Sequence, residues 1–246
     1  MILRLVSLIA LIALWAVAAH FGDPRLLPSP LTVLAVMREE AASGALFIAL
    51  GATLARVAAA FLIAMSLGSV LGYAMGRRRA VDALADSWIV ILLNLPALVV
   101  IVLAYIWIGL NEAAAIFAVA LNKLPNTVVT IREGARALDA GLDEMAKVFR
   151  FSPMRRLRHV VLPQLAPYAA AATRTGLSLV WKIVLIVELL GRSNGVGFEI
   201  GIAFQLFDVA KLLAYALPFT AIMLLVESLV VQPFEAHVSR WRPRPA

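Results

Sequence analysis

The stretch VAAAFLIAMSLGSVLGYAM (residues 57–75) contains no charged side chain. About 20 apolar residues in a helix cross the hydrocarbon core of a bilayer, so this stretch predicts a membrane-spanning helix. Small residues recur every four positions through it and just beyond, at Ala60, Ala64, Gly68, Gly72 and Gly76. Residues four apart share a helix face, and small side chains let membrane helices approach closely. The ridge predicts a packing seam, either inside one subunit or between two copies.

Similar apolar stretches occur along the whole chain. They are Ile2–Phe21, Trp88–Ile108, Ala113–Ile131, Leu165–Leu190 and Leu212–Val231. With 63% hydrophobic and 15% charged residues, the composition is too apolar for a soluble domain. The expected fold class is an all-α, polytopic membrane helical bundle with about six transmembrane helices. Arg4 and Ala16–Val17–Ala18 also imitate a cleavable signal peptide, but the first apolar run is long enough to span.

The distribution of basic residues predicts the topology. If Met1 is cytoplasmic, 14 Lys and Arg residues fall in inner segments, and only Arg25, Arg38, Arg192 and Lys211 fall in outer ones. Cytoplasmic loops of membrane proteins are enriched in basic residues. Both termini are therefore expected in the cytoplasm. The same pattern accounts for the net charge of +7 without a nucleic-acid partner.

The sequence offers no catalytic or metal-binding constellation. It has no cysteine, and its three histidines (His20, His159 and His237) are far apart. Metal sites need closely spaced donors. We therefore expect a protein that is not an enzyme and that has no metal site.

One polar island interrupts the apolar pattern, with the sequence EMAKVFRFSPMRRLRHVVLP (residues 144–163). Apolar residues recur at three- and four-residue steps at Leu142, Met145, Ala146 and Phe149, which predicts a helix. Ser152–Pro153 can cap and restart a second one. Two short helices should meet near Arg150–Phe151, with Phe149 and Phe151 exposed at the bend. Exposed aromatic residues beside arginines suit a protein interface, and a basic amphipathic helix on lipid headgroups is the alternative.

Four segments in the same order resemble one family of membrane proteins. They are residues 51–76, 93–112, 144–163 and 178–197, with GATLARVAAAFLIAMSLGSVLGYAMG, LNLPALVVIVLAYIWIGLNE, the island, and SLVWKIVLIVELLGRSNGVG. Together they resemble permeases of binding-protein-dependent ABC importers, of the nitrate, taurine and aliphatic-sulfonate type. This resemblance implies a bacterial inner-membrane permease of one domain. Its parts would be the first span and periplasmic connection (1–44), the permease core (45–234), the coupling loop (142–160) and the cytoplasmic tail (235–246).

The resemblance also implies partners and a coupling site. Cytoplasmic ABC ATPase subunits would bind ATP and Mg²⁺, a periplasmic protein would deliver the solute, and a second permease copy would complete a homodimer. The residues expected to contact the ATPase are Glu144, Ala146, Phe149, Arg150, Phe151, Leu162 and Pro163. Two positions depart from the family pattern, with Arg150 in place of glycine and Met145 in place of alanine. Glycine there would suit a turn with positive φ, so arginine either turns in the same way or lets the helix continue.

Polar groups inside predicted spans are candidates for the translocation path. These are Pro96, Lys123, Lys182 and Glu188. Intramembrane charges are costly and are usually functional or paired, and a lysine in the path would favour an anionic solute. The alternatives are a purely structural bend at Pro96 and lysines bonded to carbonyls that proline bends leave free. An ion-coupled secondary transporter that uses Lys123, Lys182 and Glu188 is the alternative class of function.

Overall fold

The predicted helices are present in a computed structural model that describes the backbone of residues 2–239 and the side chains of residues 6–238. In chain order they are α1 (Ile2–Phe21), α2 (Pro30–Ala42), α3 (Ala45–Arg77), α4 (Arg79–Asn94), α5 (Ala97–Ile108), α6 (Glu112–Arg136), α7 (Ala140–Val148), α8 (Pro153–Arg156), α9 (Leu162–Gly191), α10 (Val196–Gln205), α11 (Val209–Val226) and α12 (Gln232–Ser239). Short π-helical stretches, Leu157–Val161 and Glu227–Val231, join α8 to α9 and α11 to α12. Residues 2–239 contain no strand, so the all-α fold class is confirmed.

Four helical segments are long and apolar enough to cross a membrane. They are Ala45–Arg77, Glu112–Arg136, Pro153–Gly191 and Val209–Val238. α4 and α5 make a fifth if they count as one broken span. In α1, the part with described side chains, Val6–Phe21, is apolar but shorter than a full span. Among the described residues this gives four or five spans, so the number six stays a prediction. The three arginines after residue 239, which contributed to the predicted topology, lie outside the described residues.

The predicted span from Trp88 to Ile108 is not one bent helix. α4 ends at Asn94 and α5 begins at Ala97, with an angle of 102° between them. Proline disfavours helical φ and ψ in the residue before it, and Leu95 is indeed extended, with ψ of 126°. Pro96 then precedes α5 in a non-helical conformation. The expected bend is thus a complete break of the helix, and Pro96 is exposed at it.

The glycine ridge of α3 lies against α6. A Cβ added at Gly68 would come 2.7 Å from the Thr127 Cβ, and one at Gly72 would come 2.5 Å from the Val128 carbonyl oxygen. Gly76 meets the same helix in the same way. Contacts this short leave no room for a side chain, so the three glycines set how closely the two helices pack within one subunit.

The chain divides into two compact units. The first comprises Met1–Ala55 and Leu185–Met223, and the second comprises Arg56–Val184 and Leu224–Ala246. The first buries residues such as Val33, Val196 and Tyr215, and the second buries residues such as Ile101 and Val128. The subdivision of residues 1–246 given above, with its coupling loop and tail, stays a prediction.

Candidate functional site

The polar island begins with a well-capped helix. The Asp139 carboxylate accepts hydrogen bonds from the backbone N–H groups of Gly141 (2.7 Å) and Leu142 (3.2 Å) at the start of α7. Such caps satisfy N–H groups that have no partner inside the helix. The Asp139 N–H in turn donates to the side chain of Gln164 at 2.8 Å. The start of α7 is therefore attached to the first turn of α9.

α7 ends in a left-handed turn at Arg150, where the family pattern has glycine. Arg150 has φ of +51°. Its N–H donates to the Lys147 carbonyl (3.0 Å), and the Phe151 N–H donates to the Ala146 carbonyl (2.9 Å). This pair of bonds is the Schellman motif, which usually places glycine at the left-handed position. Arginine thus makes the glycine-type turn, and the helix does not continue through it.

The second helix of the island starts as predicted but does not stop. The Ser152 hydroxyl accepts from the Arg155 N–H, and Pro153 occupies the first turn. The helical segment then continues from Pro153 to Gly191, so the expectation of a second short helix is wrong. Proline at 163 has no N–H for a bond four residues back. The chain passes this point through the π-helical stretch, in which the Leu162 N–H bonds the Leu157 carbonyl.

The apolar side chains of α7 and its end are mostly exposed. Val148 is 78% exposed and Phe149 69%, whereas Ala146 is buried. Phe151 was predicted to be exposed but is half-buried, and the Arg155 guanidinium lies 4.4 Å above its ring. Glu144, Leu162 and Pro163 are all exposed. The residues predicted to contact an ATPase therefore fall into an exposed group and a supporting group of Ala146 and Phe151.

An acidic side chain that the sequence analysis did not single out attaches α7 to its neighbours. Asp143 accepts from the Arg156 Nε at 2.6 Å and lies 3.6 Å from an Arg77 nitrogen at the end of α3. It also lies 3.7 Å from Lys147. Asp143 is only 17% exposed, so solvent screens these pairs less than ordinary surface pairs. The aspartate therefore joins α7 to α3 and α8.

The two lysines predicted for the translocation path have different environments. Lys123 is fully buried, and its Nζ donates to the Ala172 carbonyl of α9 at 2.9 Å. Gly176 provides its space, because a Cβ there would come 1.8 Å from the Lys123 Cε. Lys182 is exposed. Lys123 is thus enclosed by the chain, whereas Lys182 lies on its surface, and a path role for either stays a prediction.

Glu188 is fully buried in the first unit. Its carboxylate accepts from the Thr53 hydroxyl (2.9 Å) and from the Gly197 N–H (2.8 Å) at the start of α10. The Thr53 hydroxyl also accepts from the Val196 N–H at 2.8 Å. A Cβ at Gly195, which has φ of +110°, would come 2.4 Å from the Glu188 carboxyl carbon. The carboxylate therefore caps α10, and its role in the path stays a prediction.

Comparison with known proteins assigns the chain to a family. Residues 64–240 match the family described as "Binding-protein-dependent transport system inner membrane component". The chain is 30% identical over 234 residues to a putative aliphatic sulfonates transport permease of Bacillus subtilis, SsuC, covering 94% of the chain and 84% of that protein. The chain belongs to the ABC importer permeases.

Other relatives and a solved structure agree with this assignment. The permease is 31% identical to SsuC of Escherichia coli, covering 77% of the chain and 73% of that protein. It is 26% identical to the bicarbonate permease CmpB of Synechococcus elongatus, covering 98% and 88%. Its fold is similar to a chain in inward-facing structures of the MetNI methionine ABC transporter, with a TM-score of 0.59, 16% identity, and coverage of 78% and 95%. The permease is a multi-pass inner-membrane transport protein of a family that is not itself catalytic.

Two further polar contacts of the permease, an ion pair and a hydrogen bond from a tyrosine to a carboxylate, were not evident from sequence. Arg56 is 4% exposed, and its Nη2 lies 2.6 Å from Glu112. The Tyr215 hydroxyl donates to Glu40 at 2.6 Å. This bond, together with Lys211 at 3.1 Å, holds the pKa of Glu40 below its usual value against the effect of burial. No sequence spacing predicts either pair, because each joins residues far apart in the chain.

Proposed function

We propose that the permease is the membrane-spanning half of an ATP-driven importer for a small anion. Two copies form the pore, cytoplasmic ABC ATPase subunits bind ATP and Mg²⁺, and a periplasmic binding protein delivers the solute. The permease itself holds no cofactor. Both of its termini lie in the cytoplasm, so that residues 142–160 face the ATPase.

The exposed end of α7 supports the coupling role. Val148 and Phe149 project from a helix that the Asp143 ion pairs and the Asp139–Gln164 hydrogen bond attach to the helices around it. An exposed aromatic residue on a fixed support can act as an anchor in a partner's groove. Because α7 is bonded to the end of α3 and the start of α9, a displacement of α7 by the ATPase reaches both spanning segments. This geometry favours a coupling helix over a helix resting on lipid headgroups.

The solute class follows from the relatives. SsuC proteins are named for aliphatic sulfonates and CmpB for bicarbonate, and both solutes are anions at neutral pH. We therefore infer that the permease carries an organic sulfonate or a similarly small oxyanion. Its membership of the ABC importer permeases leaves an ion-coupled secondary transporter without support.

Co-reconstitution tests the proposal. The permease is expressed with candidate ATPase and binding-protein subunits and placed in liposomes, and ATP hydrolysis and uptake are measured with sulfonates, nitrate and bicarbonate. We expect one anion class to stimulate both activities. The proposal fails if no ATPase co-purifies, or if uptake proceeds without ATP.

The coupling site is tested by Phe149→Ala and Glu144→Ala. Loss of a central anchor costs about 2 kcal/mol or more of binding free energy, so co-purified ATPase and coupled uptake should both fall while membrane insertion is unchanged. Phe21→Ala is the matched control, because Phe21 is 84% exposed at the end of α1. Normal uptake by both loop variants would refute the coupling assignment.

A further inference from the structure

Lys182 differs from three other charged side chains of the spanning helices, Lys123, Arg56 and Arg174. Lys123 bonds a carbonyl, and Arg56 pairs with Glu112. Arg174 lies 3.1 Å from Glu235 and 3.6 Å from Glu227. Lys182 is exposed, and within residues 6–238 its ammonium has neither a hydrogen-bond nor an ion-pair partner. Its charge is therefore left to water or to a group outside the described residues.

Other polar residues share the face of α9 that bears Lys182. Thr175, Ser178 and Lys182 are three and four residues apart, which places them on one side of the helix. The two hydroxyls donate to carbonyls of their own helix, Thr175 to Ala171 at 3.0 Å and Ser178 to the Thr175 carbonyl at 2.9 Å. Their lone pairs and remaining surface stay available to water. We call Thr175, Ser178 and Lys182 the polar stripe of α9.

A cavity of about 330 Å³ lies beside two residues of this stripe, Thr175 and Ser178. Its lining residues are Arg174, Thr175, Ser178, Trp181, Leu224 and Glu227. Within it, Arg174 and Glu227 are within ion-pair distance of each other, so neither offers a free charge to a solute. Lys182 follows one turn further along the helix and carries a positive charge that nothing described neutralises.

The hydrocarbon core of a bilayer cannot accommodate the charged and polar side chains of the polar stripe. Lys182 precedes the outer end of α9 at Gly191 by nine residues, which is about 14 Å along a helix. A charged group at that depth is costly unless it faces a partner or a water-filled cavity. The stripe therefore faces water, an anion or a polar group of another chain, and not lipid tails.

We propose that the polar stripe of α9 lines the translocation path and that Lys182 is the group that attracts the anion there. The inference rests on the proposed function and adds a selecting residue in the permease itself, beside any selection by the binding protein. An oxyanion passing the stripe accepts a charge-assisted bond from the Lys182 ammonium. Lys123 and Glu188, which are buried and bonded within the chain, have no such part in it.

The cysteine-free sequence allows a direct test. Lys182→Cys and Ser178→Cys are treated in proteoliposomes, in the complete transporter, with a membrane-impermeant sulfonatoethyl thiosulfonate, and the permease is weighed by mass spectrometry. Val180→Cys is the control for a buried position on the same helix, and Val70→Cys is the control for an exposed apolar position in α3. We expect labelling at 182 and 178, slowed by the transported anion, and little at 180 and 70. Labelling at 182 no faster than at 70 would overturn the inference.

Chemical rescue gives a second readout. Lys182→Cys should lower uptake about tenfold, the value of roughly one charge-assisted bond, with co-purified ATPase unchanged. An aminoethyl thiosulfonate restores an ammonium at this position and should recover most of the uptake, whereas the sulfonatoethyl reagent should not. Unchanged uptake in the untreated variant, or equal rescue by both reagents, overturns the role of the charge. Failure of the wild-type transporter to take up any anion would refute the proposed function, while the labelling result still decides whether the stripe faces water.

Discussion

Gly176→Ala tests how the permease accommodates its most enclosed lysine. A Cβ at position 176 would lie 1.8 Å from the Lys123 Cε and 2.1 Å from its Nζ. Because the lysine is fully buried, it cannot move aside without losing its bond to the Ala172 carbonyl or displacing other core atoms. The substitution must therefore disturb both the packing and the hydrogen bond.

The expected cost combines three terms. Overpacking a core costs about 1–3 kcal/mol, loss of a hydrogen bond from a charged group costs about 1.5–3 kcal/mol, and replacing glycine by alanine in a helix returns about 1 kcal/mol. The net loss should be about 3 kcal/mol. For a chain of this size that is roughly 6–12 °C in Tm.

Thermal unfolding of the purified permease in detergent measures the effect. Gly51→Ala is the matched control, since Gly51 is also helical but has no atom within 4 Å of its added Cβ. In a Lys123→Ala background the side chain that clashes is absent, so Gly176→Ala should keep only its helix gain of about 1 kcal/mol, which gives a coupling energy of about 4 kcal/mol. An equal cost in both backgrounds, or a Gly176→Ala variant as stable as wild type, would refute the account of this site.

Two further outcomes concern single residues outside the spans. Arg150→Gly should raise the free energy of unfolding by about 1 kcal/mol, because a non-glycine residue in the left-handed region is strained, and Arg150→Val should lower it. The Tm values of the two variants and of wild type check this. A lower Tm for Arg150→Gly would contradict the left-handed turn at this position. Glu40 has a lowered pKa in the folded protein. Its contribution to the free energy of unfolding is therefore present above the ordinary pKa of 4.5 and is lost as the pH falls through the pKa of the folded state. Between about pH 6 and pH 3 the Tm of wild type should therefore fall more steeply than that of Glu40→Gln, and parallel curves would show that Glu40 contributes nothing.

Long apolar stretches predicted the helices α1, α3, α6, α9 and α11, and small residues four apart predicted a close packing seam on α3. The short helix α10 was not predicted. The partner of the ridge was not predictable, because Gly68 meets Thr127 across a long sequence separation and no spacing records that contact. The sequence predicted a bend of the helix at Pro96, but the structure has a complete break there. Proline removes one hydrogen bond in any helix and disfavours helical geometry in the residue before it, but these local rules do not specify the 102° angle between α4 and α5.

The polar island was also predicted in part only. Ser152–Pro153 correctly marked a helix start, since capping depends on neighbouring residues only. The continuation of that helix into α9 depends on the π-helical stretch before Pro163, which local rules do not specify. Among the intramembrane charges, sequence grouped Lys123, Lys182 and Glu188 as equivalents. Their burial and their partners, which are tertiary properties, separate them.

The turn at Arg150 has a consequence for how such proteins are recognised. Its two closing hydrogen bonds are made by backbone groups, and the arginine side chain itself is exposed. The backbone conformation of the coupling loop can therefore stay the same when the residue at its left-handed turn changes from glycine to arginine, at a modest cost in stability. A sequence signature that demands glycine at this point would exclude permeases whose backbone follows the same path, and a signature written in terms of the turn would retain them.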